Sequence, residues 1–172
     1  RVFDAHEGGP LAAVRLVVER PGFEGAAFVA ETESDADGAF VLVLADTLPG
    51  DRLVVEGRLH GRLTMPMPPR GELKIALVAR RRAVLDRLVS WARGRGRPFD
   101  ARPDPTPGHV RRAARMGADG ADGVGRNAGV TGVREWADAV ERAAYAGEAV
   151  DAATEAEIDR LAPNAVPGSA RR

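Results

Sequence analysis

The chain has 172 residues and a mass of 18.2 kDa. That suffices for one domain, or a small domain with a helical appendage, without a stabilising metal, and the lack of cysteine excludes disulfides, thiolate zinc sites and thiol nucleophiles. The net charge of zero argues against a dedicated nucleic-acid binder, yet it hides a block pattern: −4 over residues 1–79, +8 over 80–116 and −4 over 117–172.

The longest apolar run, Ala39 to Ala45, has seven residues, far below the roughly 20 of a membrane helix. No signal-peptide pattern is present. Arg1 in place of a methionine points to a segment of a longer protein, from which a leader or anchor could have been cut away.

Residues 1–79 read as strands and turns. Val14, Leu16 and Val18 alternate with Arg15, Val17 and Glu19. Phe40, Leu42 and Leu44 lie two apart, as do Leu53 and Val55, and Leu73, Ile75 and Leu77 alternate with Glu72, Lys74 and Ala76. Successive strand side chains point to opposite faces, so each run predicts one buried face. Gly8-Gly9-Pro10, Pro21-Gly22, Asp37-Gly38 and Pro49-Gly50 mark turns. The MPMPP run at 65–69 belongs on an edge or in a loop, because proline cannot donate to a ladder. Short strands with close turns predict an antiparallel sandwich or barrel, read as a sandwich of seven or eight strands.

At Arg80 the period becomes helical. Val84, Leu85, Leu88 and Ala92 share a face, with Arg80, Arg81, Asp86 and Arg87 around the rest. Gly94 and Gly96 end this helix. Residues 95–107, with four prolines, predict an extended linker. Thr106-Pro107 supplies an N-cap and a first-turn proline for a helix over 107–116. Residues 117–132 hold six glycines and predict a mobile loop. A helix over 133–146 aligns Val133, Trp136, Ala137, Val140 and Ala144, and Gly147 stops it. Asp151 or Thr154 caps a last helix that buries Ile158 and Leu161 and ends before Pro163. The tail 163–172 reads as disordered.

The opening RVFDAHEGGPLAAVRLVV and the segment TESDADGAFVLVL at 32–44, through Gly8, Pro10, Leu11, Asp37, Gly38 and Phe40, resemble the carboxypeptidase regulatory-like domain. The resemblance implies a transthyretin-like β-sandwich over 1–79 that serves as an accessory or adhesive module. Residues 106–115 and 136–161 are similar to a bacterial domain of unknown function found as the soluble C-terminal tail of transglutaminase-related membrane proteins, with Arg142, Ala143, Ala144, Tyr145 and Gly147 as the matching positions.

Chemistry-bearing residues are scattered. His6, His60 and His109 fall in different elements without ligand spacing. Glu31, Glu33, Asp35 and Asp37 occupy every second position. They are either calcium ligands, lacking the downstream glutamate of an EF-hand, or a solvated strand face running into an Asx turn. Ser34, Ser90 and Ser169 lie in no nucleophile elbow. Gly123-Val124-Gly125-Arg126-Asn127-Ala128 fits a dinucleotide pattern but not its strand-and-helix context. Trp136 belongs to an apolar stripe, whereas Trp91 lies off its stripe and is placed at the join with the sandwich.

Arg80, Arg81, Arg82, Arg87, Trp91, Arg93, Arg95 and Arg97 form the densest charged feature. They are candidates for docking to an anionic phospholipid surface or an acidic partner. The competing reading pairs these arginines with the acidic flanking blocks and spends the apolar stripe on packing.

The fold class is therefore α+β: an antiparallel transthyretin-like sandwich at 1–79, then a small helical region at 80–162. The expected function is a non-enzymatic accessory or interaction module of a larger, envelope-associated bacterial protein, with no catalytic, metal or cofactor residue assigned. Its partner would be a protein or a neighbouring domain of the parent chain. The alternative is a small enzyme or ligand-binding protein with its site between sandwich and helices.

Overall fold

The structure is a computed structural model that describes residues 1–23, 25–68, 71–119, 127–147 and 149–163. The chain divides into two units, Arg1–Ala79 and Arg80–Arg172. It combines strands with four helices, and its larger sheet is antiparallel.

Among the described residues of the first unit there are six strands: β1 (Val2–Asp4), β2 (Arg15–Gly22), β3 (Gly25–Glu33), β4 (Arg52–Glu56), β5 (Leu63–Pro66) and β6 (Ile75–Leu77). Four form an antiparallel sheet in the order β3-β2-β4-β5. β1 and β6 form a second, two-stranded sheet that is parallel, against the expectation of antiparallel pairing throughout. Leu16, Val18, Leu53 and Val55 from the larger sheet share one buried apolar cluster with Val2, Ile75 and Leu77 from the smaller.

Strand number falls below seven because Phe40, Leu42 and Leu44 keep the alternation but not the ladder. They pack partly buried against the cluster while Val41 and Val43 face solvent, and no strand forms there. β3 replaces it as a strand. Its sequence GAAFVAETE has no clean alternation because a bulge between residues paired to Val18 and Glu19 leaves Val29 unpaired. The proline run starts within β5, at the sheet margin, as its missing donors require.

The second unit holds α1 (Arg80–Arg95), α2 (Pro107–Asp119), α3 (Asn127–Tyr145) and α4 (Ala152–Leu161). Val84, Leu88, Ala92, Val110, Ala114, Trp136, Ala137, Val140 and Ile158 build its core. Several boundaries differ from the sequence reading. α1 runs through Gly94, and only Gly96 ends it, its N–H bonding back to the carbonyls of Ala92 and Arg93. Arg80 is buried rather than on the solvent side.

The stretch 95–107 is not an extended spacer. The N–H groups of Phe99 and Asp100 turn back to the Gly96 carbonyl, Phe99 packs on Trp91, and Pro105 and Pro107 are buried. Trp91 accordingly sits edge-on to both Phe99 and Trp136 inside the helical unit.

Within the glycine-rich segment, residues 117–119 belong to α2 and 127–132 to α3, which corrects the loop at both ends. Its centre, 120–126, lies outside the described residues, as does the tail after Pro163. The Thr106 hydroxyl caps α2 through the His109 N–H at 3.2 Å, and Asp151 caps α4 through the Thr154 N–H at 2.9 Å. Leu161, expected inside, is 37% exposed because it falls on the last turn of α4.

Candidate functional site

Four of the seven arginines between 80 and 97 are held in ion pairs within the chain. Arg80 and Arg87 both donate to Glu155 of α4, and Arg87 also donates to Asp159. These carboxylates sit one turn apart, so α4 presents them as a ladder to α1. Arg93 bonds Asp104, and Arg82 pairs with Asp86 at 3.0 Å across one turn of its own helix. Arg81, Arg95 and Arg97 are exposed and have no carboxylate partner among the described residues. Val84, Leu88 and Ala92, the stripe a membrane would need, are buried in the helical core. The eight positions thus do not form one surface: Trp91 packs against the helical core, Arg80 and Arg87 pair with α4, Arg82 and Arg93 form half-exposed pairs, and three face solvent without a carboxylate partner among the described residues.

α2 and α3 are tied in the same way. Arg111 donates to Asp138 at 2.6 Å and to Glu141 at 2.5 Å, and these bonds, Asp138 first, raise its pKa.

In the first unit two carboxylates organise loops. Asp4 is 8% exposed. One of its oxygens accepts from the N–H groups of His6 and Glu7 at 2.7 and 2.8 Å, and the other lies 2.9 Å from His60 Nε2. The Glu7 N–H is the main reason its pKa is lowered, with burial opposing and His60 adding. Asp51, 3% exposed, takes both arms of Arg20 at 2.9 and 3.0 Å and the Leu48 N–H at 2.9 Å. Arg20 first, then Leu48, pulls its pKa down to about 2. Neither carboxylate stands out in the sequence; the signal for Asp51 is its place after the Pro49-Gly50 turn.

Ser34 is buried. Its hydroxyl accepts from the Val14 N–H at 3.0 Å and donates to the Leu11 carbonyl at 2.6 Å, so both its hydrogen-bonding roles are structural. His109 is held by the Pro98 carbonyl at 3.0 Å, and His6 is exposed.

The acidic alternation is a solvated strand face ending in a turn. Glu31 bonds Arg15, while Asp35 uses one oxygen to accept the N–H groups of Asp37 and Ala39 at 3.0 and 2.8 Å. Among the described residues no group of three or more metal-ligating side chains converges. Residues 123–126 of the glycine motif lie outside the described residues.

The remaining feature is the outer face of the four-stranded sheet. Val17 and Val54 are directly paired neighbours there, with Ala26 and Phe28 of β3 beside them. Arg15, Glu19, Glu56 and Arg62 surround this apolar floor, enclosing a depression of about 320 Å³. Arg15 and Glu31 form a fork that lowers the Glu31 pKa and raises that of Arg15, and Arg62 approaches Glu19 at 3.6 Å. Phe28 is 64% exposed. Sequence alternation marks Val17 as the odd apolar residue on a polar face, but Phe28 is hidden by the bulge.

No protein-family model, curated protein or solved structure matches the chain.

Proposed function

We propose that the chain is a non-enzymatic accessory module of a larger, envelope-associated bacterial protein, and that its first unit is a transthyretin-like sandwich of the carboxypeptidase regulatory-like kind. Two sheets sharing one apolar cluster, and a turn at Asp37-Gly38 leading into the half-buried Phe40, support that identification. In this reading the outer face of the larger sheet carries the contact with a neighbouring domain of the parent protein.

The observation that carries the reading is the exposed Phe28 beside the buried Val17–Val54 pair, ringed by ion pairs. An apolar centre with a polar rim is the layout of a protein-binding patch. His60, Ser34, Asp4 and Asp51 of the same unit are here occupied in pinning loops.

An NMR titration of the chain with the adjoining segments of its parent protein tests this. Amide shifts should concentrate at Val17, Ala26, Phe28, Val54 and Arg62, and Phe28→Ser should weaken binding about tenfold or more, as for a central aromatic anchor. Binding that leaves those amides unmoved, or is indifferent to Phe28→Ser, would refute the docking face.

A further inference from the structure

β3 is a margin of its sheet, paired with β2 alone among the described strands. Pro21 of β2 lies opposite Ala26. Opposed antiparallel residues either exchange both backbone hydrogen bonds or neither, and proline has no N–H to exchange. The Pro21–Ala26 pair therefore exchanges none, so the Ala26 N–H and C=O point away from β2, toward the open side.

The alternation turns the backbone groups of Phe28, opposite Glu19, the same way, and returns those of Ala27, opposite Arg20, to the ladder. No backbone hydrogen bond from outside the ladder reaches Ala26 or Phe28 among the described residues. Residues 25–30, GAAFVA, contain none of the charges or prolines by which proteins usually blunt an edge. The bulge at Val29 is the one such device, and it limits the regular edge to residues 25–28.

We propose that this edge pairs antiparallel with the same edge of a second copy of the chain. The register follows from the outward groups. Ala26 of one copy meets Phe28 of the other, and Ala27 meets Ala27 across the two-fold axis. This uses every outward N–H and C=O of both residues in both copies.

The strand fits its own reverse. Each exposed Phe28 ring falls beside a methyl group rather than another ring. Glu31 and Glu33 of each copy lie beyond the paired stretch, at opposite ends, so those of one copy do not face those of the other. The inference rests on the backbone of the edge, although Ala26 and Phe28 also line the docking face proposed above.

Sedimentation equilibrium of the whole chain across the micromolar range tests it, together with Ala26→Pro and Phe28→Lys. Ala26→Pro deletes an N–H that β2 does not use. Phe28→Lys places a charge on the paired edge of each copy, the means by which edges are blunted. The wild type should approach twice 18.2 kDa, and both variants should stay at the monomer mass with unchanged circular dichroism. Hydrogen exchange at the Ala26 and Phe28 amides should slow as concentration rises, while that at Ala27 stays constant. A monomer at every concentration, or a dimer whose mass neither variant changes, would overturn the proposal. If Ala26→Pro perturbs the fold, Phe28→Lys decides alone, since its side chain lies in solvent.

Discussion

A Cβ at Gly38 would lie 2.2 Å from the carbonyl oxygen of Val2, in a backbone with φ of +68°. Both the left-handed conformation and the close approach exclude a side chain there. Gly8 has a similar φ of +73° with open space around it, so it isolates the conformational part. Gly8→Ala is expected to cost about 1 kcal/mol, and Gly38→Ala about 3 kcal/mol or more, because the collision adds to the strain. Urea denaturation compares the two; equal losses would mean that the approach to Val2 is not tight. Asp51 gives a pH signature. Its folded pKa, about 2, lies below the ordinary 3.8, so as pH falls the unfolded chain takes up the proton first. Its contribution is full above about pH 4 and is lost as pH drops through about 2. Asp51→Asn should flatten that acid limb, and Arg20→Met should do the same; an unchanged limb in both would place the acid sensitivity elsewhere. Asp4, also lowered, acts in the same direction.

At the scale of elements, α1 shows how burial sorts equal charges. The side chains of Arg80 and Glu155 are 6% and 16% exposed, whereas Arg82 and Asp86 are 49% and 52% exposed. Glu155→Ala removes the carboxylate shared by the buried Arg80 and by Arg87 and is expected to cost about 3 kcal/mol. Asp86→Ala removes an exposed pair one turn apart and should cost under about 0.5 kcal/mol. Chemical denaturation followed by tryptophan fluorescence measures both, and similar costs would contradict the burial of Arg80. The same packing decides the membrane question. With Val84, Leu88 and Ala92 buried, Arg81, Arg95 and Arg97 offer charge without an apolar anchor. The chain is expected not to co-sediment with anionic vesicles at physiological salt, where exposed charges are screened; salt-resistant binding would show that α1 opens. Legibility divides along the same line. Period and caps locate α1, Thr106 and Asp151 because those signals are local. The burial of Arg80 is not local, since it depends on Glu155 from α4. β3 is obscured because a bulge breaks the two-residue period, and the glycines that predict a loop at 127–132 are tolerated in α3. Phe40, Leu42 and Leu44 predict the correct facing but not a strand, because facing follows the side chains while a strand needs a hydrogen-bonded neighbour.

For the whole molecule, the two apolar clusters share no residue: one is built from 1–79 and the other from 80–163. The charge blocks hint at such a boundary, since the shift from −4 to +8 falls at Arg80, but the switch of hydrophobic period is the physical cause, because each period builds its own core. A unit with its own core is expected to unfold on its own. Both tryptophans, Trp91 and Trp136, lie in the helical unit, so fluorescence reports that unit alone. Leu88 and Leu53 are each fully buried, one in each cluster. Replacing either with alanine should cost its own unit about 2–5 kcal/mol. Leu88→Ala is therefore expected to lower the fluorescence midpoint by more than about 8 °C for a unit of this size. Leu53→Ala should leave that midpoint within about 1 °C, because sites without shared partners act additively, while lowering the β-sheet transition seen by circular dichroism. If Leu53→Ala moved the fluorescence midpoint as far as Leu88→Ala, the two clusters would belong to one cooperative body, and the division at Ala79 would not be a thermodynamic one.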